Sequence, residues 1–219
     1  MTPLPGILTA FTFGLSGMPG VDTPLLVNER KFTTAVQPSA FLNLTDLPAG
    51  FIGVPGALKS FFTQGANNIV KSHFGAGVGS VQNFTAFFNP QTATIVLGFT
   101  INLPNQTSVN KFDASLRQPA ALQEFSEAVS QSATFLGKVT IKDKKVLSDL
   151  PSEVGDVATG MTIAAEAGGL PLLVDTISFR RGKIAALSLV GSLNARNKAI
   201  RIAEVALKMD QYLRSNSSR

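Results

Sequence analysis

The chain has 219 residues and a net charge of +5, with 44% hydrophobic and only 15% charged residues, no cysteine and one histidine. Without cysteine there is no disulfide, thiol catalysis, thiolate metal site or lipid-modified N-terminal cysteine, and one histidine leaves no two-histidine metal site. A chain of this length buries roughly 70% of its unfolded surface, so one sizeable domain can form without cross-links.

Leu4 to Val21 carries no charge, but Pro5, Gly6, Gly14, Gly17, Pro19 and Gly20 interrupt it, so it predicts no transmembrane span. The first basic residue is Arg30, which leaves the segment without the basic start of a signal peptide. Residues 1–28 therefore read as a Pro/Gly-rich apolar arm that packs on a partner or as the remnant of a signal. A strand through Phe11 and Phe13 is the third reading. Residues 29–219 read as a single α+β domain.

Arg30 to Val36 is strand-like, and Asp46-Leu-Pro-Ala-Gly-Phe51 turns into a short apolar strand. Pro55 to about Val70 predicts a helix with Leu58, Phe61, Phe62 and Ala66 on one side. The run His73-Phe-Gly-Ala-Gly-Val-Gly-Ser80 lacks dinucleotide-binding spacing and follows a helix instead of opening one, so it reads as a loop. Val81–Phe88 and Thr92–Ile101 predict a hairpin across Asn89-Pro90-Gln91, with Phe84, Phe87, Phe88 and Phe99 on a packed sheet face. Asn110 to Gln131, interrupted by Pro119, suggests a covering helix through Ala120, Phe125 and Val129, and Phe135–Ile141 and Val154–Ala165 add two strands. The clearest pattern comes last. Leu173 to Arg180 alternates, Arg181-Gly182 turns, Lys183 leads into the apolar run Ile184–Val190, and after Asn194 an amphipathic helix carries Ala199, Ile202, Ala206, Met209 and Leu213 on one face. The whole predicts an α+β fold, an antiparallel sheet flanked by helices in an α/β/α sandwich.

Chemistry is sparse along this chain. His73 stands alone, there is no nucleophile elbow or Walker loop, and Glu124, Glu127, Asp149, Glu153 and Asp156 read as solvated carboxylates. The reading is of no enzyme, no catalytic residue, no metal and no cofactor. Asn43, Asn83, Asn105 and Asn216 head Asn-x-Ser/Thr triplets, whose number chance explains in a chain this rich in Asn, Ser and Thr. Basicity is local: residues 176–219 hold 9 Lys/Arg against 2 Asp/Glu, leaving 10 against 12 before them. Only Phe179 and Tyr212 accompany those cations, so no nucleic acid is expected as partner. With no acidic run in the chain to neutralise them, Arg180, Arg181 and Lys183 are expected at an exposed hairpin tip, where they would either make a solubilising turn or steer docking on an acidic partner or anionic surface.

Taken together, Asp46-Leu-Pro-Ala-Gly-Phe51, Val154-Gly-Asp156, Ile177-Ser-Phe-Arg-Arg-Gly-Lys-Ile184 and the closing helix through Asp210 resemble the PsbP-like proteins. The resemblance covers roughly residues 30–214 as a pattern of elements. It implies an antiparallel sheet flanked by helices and a location in the thylakoid lumen or bacterial envelope. It also implies a non-enzymatic accessory role on a protein assembly, in the better-known cases a photosynthetic membrane complex. The other reading, drawn from phenylalanine-rich strands and low charge, is a carrier for an apolar small ligand in the cell envelope.

Overall fold

The structure, a computed structural model, describes residues 41–74, 79–118, 139–193 and 199–217. In chain order these form β1 (Ile52–Gly53), α1 (Gly56–Phe74), β2 (Val81–Asn89), β3 (Thr94–Asn102), α2 (Gln106–Arg117), β4 (Val139–Val146), β5 (Val157–Ala167), β6 (Leu170–Arg181), β7 (Ile184–Ser192) and α3 (Ile202–Ser217). The seven strands make one antiparallel sheet in the order β1-β2-β3-β7-β6-β5-β4. β3 and β7 pair along their full lengths, Thr94 opposite Ser192 and Asn102 opposite Ile184, and so join two meanders into one sheet.

Side chains alternate across a strand, so each strand serves two cores. On one face Phe99, Ile101, Met161, Ile163, Val174 and Leu187 pack with Ala66 and Val70 of α1 and Val109, Phe112 and Leu116 of α2. On the other, Val96, Ile177, Phe179, Ala186 and Val190 pack with Val205, Ala206, Met209 and Leu213 of α3 and with Phe41, Leu42, Leu47 and Phe51. The fold is thus α+β with helices on both faces, as the pattern predicts. Ile184–Val190 is apolar without alternation because it is covered on both sides. Gly98 admits the closing helix: a Cβ there would lie 3.1 Å from Met209 Sδ.

Several boundaries differ from the sequence reading. The covering helix α2 begins earlier, at an Asn105 cap whose side chain accepts from the Ser108 N–H at 2.9 Å, and ends before Pro119. Of the strand expected at Phe135–Ile141 the described part opens β4, which runs from Val139 to Val146, and α3 begins at Ile202. The phenylalanines do not share a face: Phe84 and Phe99 lie toward α1 and α2, whereas Phe87 lies toward α3. Phe84 and Phe87 are three residues apart, so alternation alone sets them on opposite faces, while a bulge between Gln82 and Thr85, with Asn83 at φ 49°, lets Val81 and Phe84 share one. The readings made at residues 1–36, at the loop 75–78, at 119–138 and at Asn194 lie outside the described residues. Among the described residues no helix is long and apolar enough to cross a membrane.

The β6–β7 turn also moves by one residue. Arg181 pairs with Ile184, so the turn is Gly182-Lys183, with Gly182 at φ 57° supplying the left-handed conformation. This small shift places both Arg180 and Arg181 inside β6, on opposite faces.

Candidate functional site

Among the described residues, the densest cluster of charged side chains sits where β6 ends. Arg180 turns to the α2 side, where Nε donates to Asp113 Oδ1 at 2.7 Å and Nη2 to Oδ2 at 2.8 Å. Arg181 turns to the α3 side and repeats the arrangement with Asp210, Nε to Oδ1 at 2.9 Å and Nη2 to Oδ2 at 2.7 Å. Asp156 joins the two. Its Oδ2 accepts from Arg180 Nη1 at 3.0 Å and from the Gly182 N–H at 2.8 Å, and its Oδ1 accepts from Arg181 Nη1 at 2.9 Å. One hairpin end therefore clamps the helical layers of both faces.

Local sequence makes each arm possible. Asp113 follows Phe112 on α2, next to the residue that anchors the helix in the core. Asp210 and Arg214 are one turn apart on α3, and Arg214 Nε donates to Asp210 Oδ2 at 2.7 Å. Arg214 and Arg181 both donate to the Glu153 carbonyl, and the Gly155 N–H donates to Asp210 Oδ1 at 3.2 Å. Gly155, at φ 68°, lets this loop approach β6: a Cβ would meet the Arg180 and Val157 carbonyl oxygens at 2.9 Å.

The cluster is neutral, three arginines against three aspartates. Asp210 is 1% exposed. Burial pushes its carboxyl upward, but the hydrogen bonds and charges of Arg181 and Arg214 outweigh that and hold it below the ordinary carboxylate value. The carboxylate bond of Asp113 raises Arg180 above the usual guanidinium range and that of Asp210 raises Arg181, in each case against the desolvation that lowers it. Planar guanidinium forks meeting carboxylates in bidentate pairs make strong, directional bonds. Such a site holds elements together.

The expected exposure of the hairpin tip is thus corrected for two of its three cations. Arg180 and Arg181 are 12% and 22% exposed and are bonded within the chain, whereas Lys183 is exposed in the turn. The reason is that acids at 113, 156 and 210, scattered in sequence, converge on them. Asp156, read as solvated, is the bridge of the clamp, while Asp149 hydrogen-bonds Ser148 at the surface. Asp113, Asp210 and Arg214 escaped the sequence reading; the i, i+4 spacing of Asp210 and Arg214 was the one visible sign. His73 falls in the last turn of α1, and Glu124 and Glu127 lie outside the described residues. Among the described residues no group of three or more His, Cys, Asp or Glu is placed to hold a metal ion. Phe84 and Phe99, two rings of the phenylalanine-rich strands, stack with centroids 6.4 Å apart in the core beneath α1 and α2.

No protein-family model matches the chain, and no curated protein matches it.

Proposed function

We propose that this chain is a non-enzymatic accessory or binding protein that docks on a larger protein assembly. The observation that carries the reading is where large apolar side chains reach solvent. Leu44, Ile52 and Phe61 are 45%, 53% and 42% exposed, and they are three of the four such residues among those described. All three fall in the stretch that runs from the turn at Leu44–Asp46 through the edge strand β1 into α1. Large exposed apolar patches mark contact surfaces, and these three side chains are the candidates for one. The clamp supports the same reading, because each of its carboxylates is bonded to arginine and acts as a fastener.

The PsbP-like resemblance supplies the finer proposal: an exported protein of the thylakoid lumen or bacterial envelope, attached to a membrane complex such as a photosystem. Lys183, exposed beside a neutral clamp, would then contribute a modest steering charge. Native-level co-purification tests the reading. An Ile52→Lys/Phe61→Lys variant should be recovered with the assembly several-fold less than wild type, with an unchanged melting temperature. Equal recovery, or a wild-type chain that migrates only as a free monomer from its natural membranes at low salt, would overturn it.

A further inference from the structure

The two edges of the sheet are finished differently. β1 is trimmed to two residues, but β4 is eight residues long and largely exposed. An exposed strand of that length is a template for a further strand.

Its backbone shows how the template is closed. The Leu147 N–H donates to the Gly160 carbonyl at 2.9 Å, and the pairing continues in the same register through Val146 and Met161, Lys145 and Thr162, and Lys144 and Ile163. Antiparallel ladders alternate, so the amides of Lys145 and Asp143 face β5 and those of Lys144 and Val146 face outward. The outward amide of Lys144 is already taken, donating to Asp143 Oδ1 at 2.8 Å. A bulge between Ile141 and Asp143 breaks the line of the strand just before it.

From this we infer that β4 is a barred edge. Asp143, by holding the Lys144 amide, acts with the exposed side chains of Lys144 and Lys145 to keep a second copy of this chain from adding to the sheet. The charges suit that occupant. A two-fold pairing through both outward residues sets Lys144 against Val146 of the second copy. That register places each Lys145 opposite its own counterpart at the close, non-hydrogen-bonded spacing, where like charges repel. Sliding the register to pair Lys144 with itself sets two lysines face to face and requires both capped amides to be released.

The test is to remove the bar. An Asp143→Ala/Lys144→Thr/Lys145→Thr variant should show a concentration-dependent rise in sedimentation mass that wild type lacks. Adding Val146→Pro should reverse it, since that residue's N–H faces outward and is not part of the β4–β5 ladder. A triple variant that is folded by circular dichroism yet sediments as wild type, or an association that Val146→Pro leaves intact, overturns the inference. Should the triple variant not fold, Asp143→Ala alone decides: exchange of the Lys144 amide should rise about fivefold, and an unchanged rate refutes the cap.

Discussion

Two strands of this sheet carry runs of cations, and they meet opposite fates. Arg180 and Arg181 at the end of β6 are drawn into a bonded cluster with Asp113, Asp156 and Asp210. On β4 the lysines at 142, 144 and 145 stand in solvent, with Lys142 reaching only an exposed Glu166 at 3.2 Å. Position decides much of this. β6 lies inside the sheet with helices over both faces, so a side chain leaving its end meets α2 or α3. β4 is an edge, where a charged side chain meets water and serves best by repelling a further strand. Chemistry decides the rest: a guanidinium fork matches a carboxylate in two bonds, whereas an ammonium on a flexible stem is content in water. Charge in the sequence therefore says little until the strand's place in the sheet is known.

The largest break in that contrast should come from Arg181→Gln. It strips Asp210, which is 1% exposed, of its bidentate partner but leaves it Arg214 and the Gly155 N–H, so the cost should be about 3 kcal/mol, the upper end for bonds to a charged group. Calorimetry should show a melting temperature lower by about 10 °C. Arg180→Gln should cost less, about 1–3 kcal/mol, because Asp113 is partly solvated, with a side chain 18% exposed. Arg181→Lys should lie nearer to the Gln variant than to wild type, since it keeps the charge and loses the fork.

Acid should sharpen the comparison. Asp210 titrates below its ordinary value of 3.8 in the folded protein. Its contribution is therefore fully present above the unfolded carboxylate value and is lost as pH falls through the lowered folded one. Denaturant midpoints taken from about pH 6 down to about pH 2 should show Asp210→Asn less stable than wild type at the upper end and converging on it at the lower. The arginines, raised above their usual range, add no dependence there. The smallest effect belongs to β4: Lys144→Gln and Lys145→Gln should each change unfolding free energy by less than about 0.5 kcal/mol.

The architecture was legible because periodicity records burial. The alternation through Leu173–Phe179 and the run Ile184–Val190, apolar but for Ser188, place a hairpin in mid-sheet, and Met209 and Leu213 turn α3 toward it. The turn itself was read one residue early. With both faces of the sheet covered, apolar and polar positions keep no phase that would set the register. The continuation of β4 past Ile141 was missed for the opposite reason: Lys142-Asp143-Lys144-Lys145 is polar on both faces and lacks the pattern of a half-buried strand. The clamp was legible only in its arginines. Its aspartates lie 67, 24 or 25, and 29 residues from them, and only the folded topology brings such positions together.

The central claim is that adjacent arginines fasten different layers of the sandwich. Residue-resolved hydrogen exchange measures it most directly, read in α2 and α3 of the Arg180→Gln and Arg181→Gln proteins. Arg180→Gln should speed exchange in α2 while leaving α3 near wild type, and Arg181→Gln should do the reverse. If both variants loosen the same helix, or neither helix responds, the two-sided clamp is contradicted.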